Sequence, residues 1–303
     1  MKRIIKSGYF NAFMVAALAS GYVLTTRAAY LKTKFEPSSY VPIYLLTAGL
    51  CGFIEIAISK SYSRNFDGEN IKSVITKSKG LILNGLLATI SFALLAVGQR
   101  HTSAANASVI MGSNFVPTAI FSWILLKRKL IPKQLVFMLM TIFGLYIAVV
   151  GFNSLKLVAG DLIILGAATV IGFTNSYMKL LTKNFSSSFI ANTRLTVGLA
   201  CCIIFLLIFR PEMNVDIKDY IYPIFAGICF WYSVKMVVAA VEKLHANEAI
   251  IIAQLHIVIT PIVAYLTLNE SYRIETFIGS LVMIFGVFFF AFWGRENKAK
   301  STL

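Results

Sequence analysis

Residues 104–126 read AANASVIMGSNFVPTAIFSWILL, and residues 246–268 read ANEAIIIAQLHIVITPIVAYLTL. Each is long enough to cross a bilayer, because a helix rising about 1.5 Å per residue spans the hydrocarbon core in about 20 mostly apolar residues. Set one above the other, they keep a single register 142 positions apart, without gaps. Ala104 falls on Ala246, Ala107 on Ala249, Ile110 on Ile252, Val116 on Val258, Thr118 on Thr260 and Leu126 on Leu268. The register continues past these stretches: Leu139 falls on Leu281, and Ile142-Phe143-Gly144 on Ile284-Phe285-Gly286. Single matches between apolar helices carry little weight, but their persistence in one register points to a duplicated unit. A fainter echo pairs Gly8 with Gly160 and Arg27 with Lys179.

Working outward, ten apolar spans are predicted: 8–29, 39–59, 79–99, 104–126 and 132–152, then 160–182, 186–209, 220–242, 246–268 and 274–293. Hydrophobic residues make up 58% of the 303-residue chain and charged residues 14%. An ordinary soluble domain carries about 25% charged residues, and the spans leave no room for one. The expected fold is an all-α membrane protein of ten transmembrane helices. Residues 1–152 and 153–303 each supply five. Five is odd, so the two copies must cross the membrane in opposite directions. Inverted repeats of this kind belong to secondary transporters, which hold their substrate near the midplane between the halves.

The net charge of +15 lies in the short connections and forms no basic domain, which argues against nucleic acid. One side receives Lys2, Arg3, Lys6, Lys60, Arg64, Lys72, Lys77, Lys79, Lys127, Arg128, Lys129, Lys133, Lys183, Lys243, Arg295, Lys298 and Lys300. The other receives Lys32, Lys34, Arg100, Lys156, Arg210, Lys218 and Arg273. Positive residues stay in the cytoplasm, so both termini are expected there, as an even number of crossings also demands. Charge supports the inversion too: Lys127-Arg128-Lys129 follows the fourth span, whereas Asn269-Glu270-Ser271 follows the ninth. The first span runs on to Leu24, past the Ala17-Leu18-Ala19 that would suit signal cleavage, and is expected to stay uncleaved. Richness in Lys, Ile, Phe and Asn fits an AT-rich genome and hence a bacterial inner membrane. Cys51, Cys201, Cys202 and Cys229 all fall within spans and read as small packing residues, with no metal-ligand spacing.

The chain resembles the drug/metabolite transporter superfamily, specifically its EamA-like members built from two five-helix repeats. The residues that carry the resemblance are Ala246-Asn247-Glu248-Ala249 at the start of the ninth span, Pro261 further along it, Glu270 after it, and Arg194 early in the seventh. Two positions depart from the family pattern: Arg128 replaces an acidic residue frequent in the first repeat, and Leu45 stands near where an arginine is expected. The resemblance implies a carrier of metabolites, in a family spanning exporters of amino acids and carriers of nucleotide-linked compounds.

Lys235 sits about fifteen residues into the eighth span. A lysine near the bilayer centre costs about 2.5–3.5 kcal/mol on insertion scales, so it should face the protein interior. It reads either as a substrate contact or as half of an ion pair with Glu55 or Glu242. Trp231 and Tyr232 lie one turn before it and share its helical face. Arg27, Lys179 and Arg194 lie nearer span ends, where long side chains snorkel. His256 and Gln254 occupy the middle of the ninth span, and the 142-residue shift sets Asn114 opposite His256 and Gly112 opposite Gln254. Asn175 and Tyr177 precede Lys179 in the sixth span. Ala104, Ser108 and Gly112 form a small-residue stripe suited to close packing, and Pro117 and Pro261 are candidate hinges.

The substrate-binding set expected from sequence is therefore Lys235, Trp231, Tyr232, His256, Gln254, Asn114, Asn175, Tyr177, Arg194 and Lys179, with no catalytic residue, metal or cofactor. The expected function is alternating-access transport of a small polar organic solute, anionic or zwitterionic, by a monomer or homodimer embedded in membrane lipid. No nucleotide-hydrolysing motif is present to drive it. A non-transporting helical scaffold is the alternative; an enzyme is not expected, because His101, His245 and His256 are dispersed.

Overall fold

The computed structural model describes residues 8–59, 71–127, 130–151, 158–182, 184–243, 253–271 and 273–301. Among the described residues eleven α-helices and a short 3-10 helix (Ile217–Tyr220) follow one another, with no strand. The α-helices are α1 (Gly8–Lys32), α2 (Pro37–Ser59), α3 (Ile71–His101), α4 (Ala104–Gly112), α5 (Phe115–Leu126) and α6 (Pro132–Val149). After them come α7 (Ala159–Leu181), α8 (Ser187–Phe209), α9 (Ile221–Lys243), α10 (His256–Leu268) and α11 (Ile274–Ser301). Among the described residues eight helical stretches are long and apolar enough to cross a membrane, with two shorter apolar helices, His256–Leu268 and Ile274–Phe290. Large apolar side chains such as Ile58, Leu207 and Leu266 stand exposed, as the lipid-facing surface of an integral multi-pass membrane protein requires. The stretch Ala246-Asn247-Glu248-Ala249 lies outside the described residues, as do Arg128, Lys129, Lys156 and Lys183.

Packing follows an exchange symmetry. α6 packs on α11, α2 on α8, and α4 on α10, while α1 packs on α9 and α3 on α7. In the numbering of the spans these are fifth on tenth, second on seventh, fourth on ninth, first on eighth and third on sixth. Exchanging the first five spans for the last five maps every pairing onto itself or onto another in the set. The halves are thus interleaved, and the main interfaces run between copies.

The matched Ile-Phe-Gly triplets sit at the first of these interfaces. A Cβ on Gly144 would stand 2.7 Å from the Met283 amide and 2.8 Å from the Gly279 carbonyl. One on Gly286 would stand 2.9 Å from the Phe137 carbonyl. Phe143 and Phe285, one position earlier, both face outward to lipid. The repeat therefore keeps a helix face, with glycine inward for backbone approach and phenylalanine outward. Hydrogen bonds join other helices: Asn84 Nδ2 donates to the Thr174 carbonyl at 2.9 Å, Ser91 to Ala167 at 2.8 Å, and Thr260 to Ser20 at 2.9 Å.

Where the sequence predicts one continuous fourth span, the structure breaks it at Ser113-Asn114. Pro117 accounts for the break, since it has no N–H to offer the Ser113 carbonyl. Val116 N takes that role at 2.9 Å in a tighter turn. The ninth span turns at Gln254-Leu255 and resumes at His256, one residue from the matching place under the 142-residue shift. Pro261 lies inside α10, away from this turn. The same shift also relates the ends of the two segments. Lys127 and Asn269 both cap their helices in the left-handed conformation, each with φ 52° and ψ 29°.

Gly144→Val should lower the detergent melting midpoint of the protein, since overpacking a backbone contact costs about 1–3 kcal/mol. Gly166→Ala, where a Cβ meets nothing within 4 Å, should hold or slightly raise it in the same melt, because alanine favours the helix over glycine.

Candidate functional site

A cavity of about 200 Å³ opens among α2, α3, α7, α8 and α9. Its walls include Leu45, Phe92, Ile171, Leu195, Phe230, Val234 and Val237, with Thr89, Asn175 and Arg194 as its polar members. Arg194 stands seven residues into α8, about 10 Å from the end that the charge pattern assigns to the cytoplasm. Its Nη2 points at Thr174 Oγ1, 3.4 Å away, and its Nη1 at the Met178 sulfur, 3.7 Å away. No carboxylate pairs with it among the described residues. A guanidinium offers five N–H donors, so two long contacts leave most of its hydrogen-bonding capacity unused.

Aromatic rings close the cavity toward the outer side. Phe230 meets Phe92 edge to face at 4.4 Å between centroids, Tyr22 at 5.5 Å and Tyr44 at 5.8 Å. Tyr40 stacks on Tyr44 and meets Phe35, continuing the plug toward the outer end of the bundle. Beyond it lies a charged knot. Arg27 Nε donates to Glu270 Oε1 at 2.9 Å, and its Nη1 donates to the Gln99 carbonyl at 2.9 Å, at the C-terminal end of α3. The other Glu270 oxygen accepts from the Ala104 amide at 2.9 Å, at the start of α4. Cation at a helix C-terminus and anion at a helix N-terminus are the favourable ends of both dipoles. The pair is largely buried, with side-chain exposures of 17% and 10%. Arg27 therefore turns inward, where its position near a span end suggested snorkelling, because Glu270 and a helix end receive it.

Of the residues expected to bind substrate, Arg194 and Asn175 line the cavity. Lys235 pairs with Glu55 at 3.1 Å and lies 5.3 Å from the Trp231 ring centroid. The ion-pair alternative for Lys235 is thus the arrangement present, with Val234 and Val237 on the cavity side of the same helix. The Glu242 side chain lies outside the described residues. Trp231 is half-buried, its Nε1 without an acceptor, and Tyr232 is exposed. Tyr177 stacks on Phe173 and borders a shallow depression with Lys77 and Lys79, at the end that the charge pattern assigns to the cytoplasm. Lys179 is exposed at the same end of α7.

Asn114, Gln254 and His256 gather at the crossing of the two interrupted spans. A Cβ on Gly112 would meet Gln254 Oε1 at 3.2 Å, so the two positions paired by the repeat also meet in space. His256 Nδ1 bonds the Ala253 carbonyl at 2.9 Å. That carbonyl is released because Ile257 N turns to Gln254 instead. The imidazole thus repairs a backbone break, which a low-dielectric setting requires. Asn114 flanks the other break as the residue before α5 and makes no side-chain cap. Sequence reasoning missed Thr89, Phe92 and Phe230, which carry no polarity or spacing that sets them apart from other apolar span residues.

The model of the EamA-like transporter family matches residues 6–150 and again residues 158–292. The chain belongs to the EamA-like transporter family. An uncharacterized transporter of Methanothermobacter thermautotrophicus is 24% identical over 224 residues, covering 71% of this chain and 65% of the relative. The chain thus spans about 65% of that relative's length. A crystal structure described only as that of a protein superposes with a TM-score of 0.64 at 13% identity, over 96% of this chain and 98% of the other. It shares the fold.

Two outcomes follow from the paired charges of this EamA-like chain. Lys235→Met should destabilise it more than the double variant Lys235→Met/Glu55→Gln, because the single change strands a partly buried carboxylate. Calorimetric melting of the three proteins checks the order. Glu270→Gln should cost about 3–5 kcal/mol. The exchange Arg27→Glu/Glu270→Arg should fail to restore the melting midpoint, because it presents a cation to the Ala104 amide.

Proposed function

We propose that this protein is a secondary transporter that moves a small polar organic solute, held by a negatively charged group at Arg194, through alternating access. The reading rests on Arg194, a guanidinium on a cavity wall with no carboxylate partner among the described residues. A carboxylate seated there completes the donors that Thr174 and Met178 leave unused, through charge-assisted hydrogen bonds. Asn175 and Thr89 supply neutral donors and acceptors on the same walls.

Two further observations support alternating access. The cavity sits from the middle of the bundle toward the end that the charge pattern assigns to the cytoplasm, whereas the opposite third is filled by the Tyr–Phe plug and joined by Arg27–Glu270. That asymmetry is what an inward-oriented state of a two-state carrier looks like, and the interleaved pairing of inverted halves supplies a mirror state in which the roles exchange. One chain encloses the cavity, so a monomer or homodimer suffices. Richness in Lys, Ile, Phe and Asn supports a bacterial inner membrane as its site.

Arg194→Gln should weaken binding of an anionic solute about 10- to 100-fold, the worth of a hydrogen bond to a charged group. Arg194→Lys should retain part of it, keeping the charge but losing the fork. The check is a thermal-stability screen of purified protein against carboxylated, phosphorylated, zwitterionic and cationic metabolites, followed by uptake into proteoliposomes. Stabilisation by anions in the wild type alone fits the reading; stabilisation by cations alone removes it.

A further inference from the structure

The cavity carries one uncompensated charge within mainly apolar walls, and that imbalance defines the solute more narrowly than its size does. No aspartate or glutamate lines it among the described residues. Three carboxylates within the described helix bundle are engaged elsewhere. Glu55 is with Lys235, Glu270 with Arg27, and Asp161 with Thr102 and Asn106 at the outer end of α7. Lys235, on the same helix as the wall residues Val234 and Val237, is itself partnered and is not on the wall. What remains is one guanidinium, two neutral polar residues, and rings and branched chains.

Resting on the anion-site reading above, we propose that the solute is an amphiphilic monocarboxylate, a single carboxylate on an aromatic or branched hydrocarbon body with no ammonium group. Each part of that description meets something in the cavity. The carboxylate matches the fork of Arg194 and neutralises it within the bundle. The body lies against Phe92 and Phe230, whose edge-to-face contact at 4.4 Å presents both a ring face and a ring edge. The volume of about 200 Å³ equals that of roughly seven waters at about 30 Å³ each, enough for a small ring and its side arm.

The same inventory disfavours the other classes. An amino acid brings an ammonium group that must leave water and finds no carboxylate on the described walls, the costly case of an unpaired charge. A dicarboxylate brings a second negative charge, and the described walls hold no second cation to meet it. A phosphate monoester carries about −1.5 to −2 charges near neutral pH, again more than one guanidinium balances.

Titration calorimetry of the full-length protein in nanodiscs, at one ionic strength, tests this with four probes: phenylacetate, phenylalanine, phenethylamine and succinate. Phenylacetate should bind at least tenfold tighter than the other three, and Arg194→Gln should weaken it at least tenfold. Phenylalanine or succinate matching phenylacetate, with binding still dependent on Arg194, overturns the monocarboxylate class and leaves the anion site standing. Phenethylamine binding alone, indifferent to Arg194→Gln, overturns both. Silence from all four probes overturns the monocarboxylate class. The comparison among ligands is made on the wild type, so a poorly folded variant does not obscure it.

Discussion

The carboxylate of Glu270 meets three separate helices at once. It neutralises Arg27 of α1, receives the first amide of α4, and through Arg27 reaches the last carbonyls of α3. None of these contacts stands well alone in a low-dielectric setting: an unpaired Arg27, an open helix N-terminus and an open helix C-terminus would each be unsatisfied. Together they cancel. The knot gathers four chain segments at one end of the bundle, with the aromatic plug packed beneath it and the cavity beyond.

Much of the fold was legible in the sequence because its signals are repeated and coarse. Ten apolar spans, sided positive charge and a constant register of 142 residues required no knowledge of contacts. The Ile-Phe-Gly triplet announced a shared surface, and both of its glycines lie at the α6–α11 contact. The interruptions at Ser113-Asn114 and Gln254-Leu255 were less legible. Pro117 hinted at the first, but nothing in an apolar run distinguishes a continuous helix from one whose broken ends are repaired by a histidine ring.

The candidate site was legible only in part. Arg194 and Asn175 were found because polar residues are rare in apolar spans. That same rule drew attention to Lys235, which pairs with Glu55, and to His256, whose ring nitrogen bonds a freed backbone carbonyl. Rarity identifies residues that need a partner, and only geometry says whether the partner is protein or solute. The cavity walls run the other way: Phe92, Phe230 and Val234 matter through shape, and their composition is that of every other span.

Lys127 and Asn269 occupy one backbone turn, copied to opposite faces of the membrane. Asparagine adopts the left-handed conformation readily, whereas for most side chains it costs about 1–2 kcal/mol. The outer copy has the residue that the turn prefers. The inner copy keeps a lysine against the preference of its own backbone, in a cluster whose charge helps set which way the chain is threaded into the bilayer. After duplication the two halves answered to different authorities, local geometry on one face and insertion on the other. The divergence of an inverted pair is therefore written where the copies leave the membrane as much as in the cavity they enclose.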